Sequence, residues 1–282
     1  MSIFDTIKNY ISGAKITSAA KYSGTIPSIR LKKTNAEVIA DAVTWAKKIA
    51  KNNDFHYGKG KHAHHNGCYY CGTQPKSKKN SGIKKWETTY CCNPFVGAAW
   101  AHGGCVPKAL ELCQKGSSWD YSKGQGYDKS SLFKKVGNPY KIKMKKGDVI
   151  CGDAHVMLYV GDGYVVHAGY EDDNVVNSAK WKKSICKEKL KDSWHYKHKA
   201  ISRVYRFISS VDKEMPIRRG EYSKRVRDLQ SFLNWYGFKL KVTGFYNESS
   251  FKAVKKFQKA VGLPSTGEVD KKTLAKMKEV VK

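Results

Sequence analysis

The chain has 282 residues, with 53 Lys and Arg against 24 Asp and Glu, for a formal net charge of +29 and a hydrophobic fraction of 40%. That length exceeds a disulfide-held mini-protein and suggests two domains at about 150 residues each. The apolar content suffices for a buried core and speaks against disorder. No run of about 18 apolar residues is present, which excludes a transmembrane helix.

The first segment, residues 1–33, is polar with scattered apolar positions and reads as an arm or short helices. Thr34 or Asn35 can cap a helix running to about Asn52, with Val38, Ile39, Ala42, Val43, Ala46 and Ile49 at helical spacing. Residues 56–86, rich in His, Gly, Lys and Asn, lack periodicity and read as a long loop or insertion, of a kind that tends to be functional or mobile. Residues 93–115 predict a second helix, with Pro94 in its first turn and Gly103-Gly104 interrupting it.

From about residue 140 the period changes to two. Lys146-Gly147-Asp148 is a turn and Val149-Ile150-Cys151 a short strand. His155 to Val160 is a second strand, Gly161-Asp162-Gly163 a hairpin turn, and Tyr164 to Ala168 the returning strand. Arg203 to Phe207 closes the sheet. Residues 34–208 therefore predict an α+β domain, with helices packed on an antiparallel sheet. A linker at 209–215 leads to a small all-α domain at 216–282, with helices at Tyr222–Tyr236, Ser249–Ala260 and Lys271–Val280.

Cys92 is the first residue that suggests chemistry. It stands immediately before a predicted helix, where the helix dipole favours a thiolate. A nucleophilic Cys needs a base and a group that orients the base. His155 starts one strand and His167 ends its neighbour, so the hairpin can bring the two together. The residues alone leave a second reading open, with Cys92 a core thiol and the histidines incidental to the sheet. His102, Cys105 and Cys113 read as packing residues, and His195 and His198 lie in a Lys-rich stretch that reads as exposed.

Three motifs carry a resemblance over about residues 36–207. Cys92-Asn93-Pro94-Phe95-Val96, Lys146-Gly147-Asp148-Val149 with Ala154-His155-Val156-Met157-Leu158-Tyr159-Val160-Gly161-Asp162-Gly163, and Val165-Val166-His167-Ala168 resemble NlpC-type cell-wall cysteine peptidases. The resemblance implies a papain-like fold, a Cys92–His155–His167 triad and an acyl-enzyme intermediate. It departs from the family at Cys91, where an Asp is usual. The family's oxyanion-stabilising Tyr is matched only by the candidate Tyr57, beside the backbone N–H of Cys92.

Within the insertion, His56, His62, His64, His65, Cys68 and Cys71 crowd together. Cys68-x-x-Cys71 with His62 and His64 has ligand types that suit a structural zinc. A Cys68–Cys71 disulfide, free thiols or a solvated basic loop are the competing readings. Catalysis itself requires no cofactor. The eight cysteines (Cys68, Cys71, Cys91, Cys92, Cys105, Cys113, Cys151 and Cys186) are expected to be reduced, because the start of the sequence lacks a secretory signal.

A second resemblance covers about residues 216–279. Val226-x-x-Leu229-Gln230-x-x-Leu233-Asn234, Thr243-Gly244-Phe245-Tyr246, Phe251-x-Ala253-Val254-x-x-Phe257-Gln258 and Gly262-Leu263-Pro264 resemble the three-helix peptidoglycan-binding domain of wall hydrolases. Thr243-Gly244 replaces that family's usual Asp-Gly pair. Arg218, Arg219, Trp235 and Tyr246 are read as surface residues able to touch a glycan or stem peptide.

The charge is spread over both parts, 36 basic against 16 acidic residues in 1–210 and 17 against 8 in 211–282. With no zinc-finger, RNP or basic-zipper signature, nucleic acid is not an expected partner. Peptidoglycan and anionic wall polymers are. Together the resemblances imply a monomeric, endolysin-like peptidoglycan hydrolase, cutting as a D-glutamyl endopeptidase or as an N-acetylmuramoyl-L-alanine amidase. Its expected location is the host cytoplasm with release to the wall at lysis, or a virion. A non-catalytic wall-binding protein is the alternative.

Overall fold

The computed structural model describes residues 29–51, 55–57, 88–90, 92–104, 106, 109, 125–152, 155–169, 185–208 and 216–281. They fall into two compact units. One is Thr34–Ser210, and the other joins the segment ending at Lys33 to the segment beginning at Val211.

In the first unit, helix α1 (Asn35–Ile49) opens with a capping box. Thr34 Oγ1 accepts from the Glu37 N–H and the Glu37 carboxylate accepts from the Thr34 N–H, which satisfies two end donors reciprocally. Its buried face comprises Val38, Ala42, Val43, Trp45, Ala46 and Ile49. Two short parallel strands follow, β1 (Phe55–Tyr57) and β2 (Thr88–Tyr90). Helix α2 (Cys92–Ala98) runs into a π-helical turn, Ala99–Gly103. That turn lies tightly on α1: a Cβ at Gly103 would stand 2.4 Å from the Asp41 carbonyl oxygen, so the glycine permits the crossing. After the short helix α3 (Gln125–Asp128) the chain builds its main sheet.

The sheet has six antiparallel strands. They are β3 (Phe133–Gly137), β4 (Val149–Gly152), β5 (His155–Gly161), β6 (Tyr164–Ala168), β7 (Ile185–Lys189) and β8 (Ile201–Phe207), in the spatial order β3-β8-β4-β5-β6-β7. Helix α4 (Trp194–Lys197), capped by Ser193, connects β7 to β8. The fold is therefore α+β with an antiparallel sheet. β8, expected to close the sheet, lies inside it, between β3 and β4. Trp100 stacks on Phe207 at 4.8 Å and meets Phe133 edge-on at 5.2 Å, pinning the π turn to this end of the sheet.

The Gly147-Asp148 pair has a structural task. Asp148 is 1% exposed and accepts from Arg206 Nε and Nη2 at 2.8 and 2.7 Å and from the Lys145 N–H at 2.7 Å. The bidentate geometry fixes the start of β4 against β8, and β4 in turn aligns β5, with Gly152 opposite His155.

The second unit contains helices α5 (Lys224–Trp235), α6 (Glu248–Ala260) and α7 (Lys271–Glu279), capped by Ser223, Asn247 and Asp270. Val226, Leu229, Phe232, Leu233, Val254 and Phe257 are buried in one cluster, which Ile29 and Leu31 also enter. The last residues of the N-terminal arm are thus part of this unit. Arg225, buried against Glu221, donates from Nη1 to the carbonyl oxygens of Leu31 at 2.9 Å and Arg30 at 3.2 Å.

Two buried glutamines organise the turns between these helices. Gln230 Oε1 accepts from the N–H groups of Thr243 and Gly244, and Gln258 Oε1 from that of Gly267. The two protons on Gln258 Nε2 are shared among Glu268 O at 2.8 Å and the hydroxyls of Thr266 and Thr273 at 3.0 Å. The Thr243 hydroxyl serves the same turn, accepting from the Phe245 N–H at 3.1 Å. Gln258→Ala strands several buried partners at once. It is expected to destabilise this unit by about 2–4 kcal/mol, measured as a lower urea midpoint at unchanged slope.

One surface expectation needs correction. Tyr246 is fully buried, because its ring joins the core and its hydroxyl donates to Gly267 O at 2.6 Å. Arg219 pairs with Glu248 at 2.8 Å, while Arg218 lies 3.8 Å from Glu268. Trp235 is half-buried against the cluster.

Candidate active site

Cys92 is the first residue of α2 and is 3% exposed. The backbone N–H of Val156, the residue after His155, hydrogen-bonds its sulfur, as do backbone groups of Asn93 and Cys92 itself. The thiol therefore lies at the start of β5. Burial dominates these hydrogen bonds and pushes the thiol up to about 11. This corrects the expectation of a resting thiolate: a helix of seven residues at a buried site does not offset the loss of water.

His155 and His167 meet as expected. His155 Nε2 is 2.8 Å from His167 Nδ1, with the rings edge-on at 88°. β5 and β6 are antiparallel neighbours, with Leu158 opposite Val166, and this pairing brings the two side chains together. The chain of contacts continues beyond the expected triad. His167 Nε2 is 2.8 Å from Glu188 Oε1 on β7, and Cys186 Sγ is 3.4 Å from the same nitrogen. His195, on α4, stacks on His155 with centroids 4.0 Å apart and planes 15° apart. His195 is thus half-buried over the site rather than exposed, whereas His198 is exposed. His102 is a packing residue, buried and stacked on Trp45.

The charges sort by neighbour. Burial, then the charge on His167 and His195, holds His155 well below the ordinary imidazole range. On His167 burial opposes the charge, but Cys186 and Glu188 together outweigh it and push this group up to about 10. Burial and His167 push His195 down to about 4, against Glu188. An extra proton on the histidine pair therefore belongs on His167. While that proton is present His167 donates from both nitrogens, to Glu188 and to His155 Nε2; only after it is lost does Glu188, which as a carboxylate can only accept, keep the remaining His167 proton on Nε2. His167 Nδ1 then accepts from His155 Nε2–H. That leaves His155 Nδ1 as the nitrogen with a free lone pair.

Gly169 guards this arrangement. A Cβ there would stand 2.6 Å from His155 Cε1. Gly169→Ala is expected to displace the His155 ring, with the thermal midpoint little changed, and to lower any wall hydrolysis by about 10²-fold. An unaltered rate would show that His155 does not need this position.

Of the remaining expected site residues, Tyr57 ends β1, opposite Tyr90, and its side chain lies outside the described residues. So do His56, His62, His64, His65, Cys68, Cys71, Cys91, Cys105 and Cys113. Among the described residues, His167, Cys186 and Glu188 form a group whose ligand atoms all lie within 4.8 Å of one another. Among the described residues, no helix is long and apolar enough to cross a membrane.

Comparison with known families places residues 222–277 in register with the peptidoglycan-binding domain family. No curated protein matches the chain. The match supports a cell-wall-associated function, with peptidoglycan as a partner of the second unit.

Proposed function

We propose that the chain is a peptidoglycan hydrolase, in which the α+β unit is an NlpC-type cysteine peptidase and the second unit binds the wall. The observation that carries this reading is the buried relay of His155, His167 and Glu188 beside the Cys92 thiol. In this reading the active form is the one in which His167 has given up its extra proton: Cys92 attacks an amide carbonyl of the stem peptide or cross-bridge while His155 Nδ1 takes its proton. His155 then protonates the leaving amine, and water hydrolyses the acyl-enzyme. Because burial holds Cys92 and His155 towards their neutral forms, the proton leaves the thiol as it attacks rather than beforehand. Glu188 and His167 orient the base. The bond cut is that after D-glutamate, and the route to the wall is endolysin-like release. The net charge of +29 favours accumulation on anionic wall polymers.

The burial of Cys92 favours a second reading, a non-catalytic wall-binding protein in which the thiol is a core residue. Mass spectrometry of muropeptides from walls incubated with the protein separates the readings. New glutamate termini support the endopeptidase and free lactyl-muramic ends indicate an amidase. Walls bound but chemically unchanged would leave only the wall-binding function.

A further inference from the structure

We propose that His167, Cys186 and Glu188 form a zinc site, and that zinc bound there silences His155. The regulatory half of this rests on the hydrolase reading above; the metal site does not.

The donors are an imidazole nitrogen, a thiol sulfur and a carboxylate oxygen, a set suited to Zn²⁺. Two come from alternate positions of β7, Cys186 and Glu188, and so share one face of the strand. The third comes from β6, where His167 lies directly across from Cys186 in register. All three ligand atoms lie within 4.8 Å of one another. Around a tetrahedral zinc such atoms stand roughly 3.4–3.6 Å apart. His167 Nε2 is already 3.4 Å from Cys186 Sγ and 2.8 Å from Glu188 Oε1, so side-chain adjustments of under about 1.5 Å would complete the set. Cys186 is half-buried and the Glu188 side chain is 29% exposed, which gives an ion a path from solvent and leaves a fourth position for water. Cys186 stands beside the relay, where with Glu188 it raises His167. Its sulfur is the more distant neighbour of a nitrogen that Glu188 already serves.

The effect on catalysis follows from where protons sit. A metal on His167 Nε2 needs that lone pair, so the Nε2 proton goes to solvent and the one imidazole proton that remains is held on Nδ1. The Cys186 thiol proton goes to solvent. His167 Nδ1 is then fixed as a donor to His155 Nε2 and can no longer accept from it. His155 must carry its own proton on Nδ1, and the lone pair that would receive the Cys92 proton is gone. The site would thus inhibit without touching the nucleophile.

The test compares the full chain with Cys186→Ala and Cys92→Ala, each stripped with chelator and titrated with Co²⁺ and then Zn²⁺. The difference between unaltered chain and Cys186→Ala reports Cys186, whatever other thiols bind. Expected for the unaltered chain is a thiolate-to-cobalt charge-transfer band that zinc displaces, with wall clearing lost over the same zinc range. Cys186→Ala should lose one equivalent of metal and its share of the band. It should resist zinc by at least about tenfold, its clearing with zinc being compared with its own clearing without metal. A band and zinc inhibition that survive Cys186→Ala overturn the proposal. A band that instead disappears in Cys92→Ala does so too, placing the metal on the nucleophile. A Cys186-dependent band in a chain that never clears walls keeps the metal site and sinks the hydrolase reading together with the regulatory half.

Discussion

Cys92→Ala is expected to retain wall binding and to lower wall hydrolysis roughly 10⁴- to 10⁶-fold. Alanine removes the sulfur while leaving the helix start and the neighbouring Phe95 and Val96, both fully buried, in place. His155→Ala should fall as far, and the double variant no further, because nucleophile and base act as one unit. His167→Ala should be less severe, since the base survives without its orienting partner. Glu188→Gln separates position from charge: the amide can turn its oxygen or its nitrogen towards His167 Nε2, so His167 is no longer held to one tautomer. A loss smaller than that of His167→Ala is expected. The measurement is clearing of purified walls together with the muropeptide products. If Cys92→Ala clears walls like the unaltered chain, hydrolysis by this thiol is ruled out.

Arg225→Ala is the second substitution with a large expected effect, here on folding and wall binding. The side chains of Arg225 and Glu221 are 4% and 2% exposed, and Arg225 Nε and Nη2 hold the carboxylate at 2.6 and 2.9 Å. Removing the arginine leaves a buried carboxylate without its main counter-charge, at a cost of about 3–5 kcal/mol. It also frees the carbonyls of Arg30 and Leu31, and so loosens Ile29 and Leu31 from the core. A unit of this size has little stability in reserve, so wall binding should be lost at room temperature. Undiminished binding and an unchanged unfolding midpoint would refute this account.

The same pair sets an acid limit. Burial works against the charge on Glu221, but Arg225, then Lys33 and Ser223, outweigh it and hold the carboxyl below its ordinary range. A depressed folded pKa means the unfolded chain binds the proton first. The contribution is therefore complete above the ordinary glutamate value of about 4.3 and disappears as pH falls through the lower folded value. Stability of the second unit should fall with acid in that window. In Glu221→Gln it should be lower near neutral pH and less sensitive to acid.

Much of the local structure was legible because its causes are local. Thr34 and Glu37 close a capping box three residues apart, and the apolar spacing of α1, α5, α6 and α7 is written within each helix. The Gly161-Asp162-Gly163 turn forces β5 back along β6, with Asp162 and both glycines at positive φ, and so His155 and His167 could be paired from the residues. β3 and β7 were not read as strands. Lys134, Lys135, Lys187 and Lys189 give them a polar cast suited to the sheet edges they occupy, which periodicity alone does not separate from loop.

Chain order by itself made α1, α5, α6, α7 and the central hairpin legible, since each depends on neighbours within a turn or a short motif, while the Cys92–His155–His167 set and the wall-binding likeness over about 216–279 came from family resemblance, the latter matched at 222–277. Only the tertiary structure placed Glu188 and Cys186 on His167, 21 and 19 residues along the chain, and laid His195 across His155. It also buried Tyr246 and drew Ile29 and Leu31 into the C-terminal core. These contacts come from strand order, a crossing helix and a strap distant in sequence. The charge state of Cys92 belongs with them, because burial is a property of the whole packed unit and here outweighs the helix start that the sequence displays.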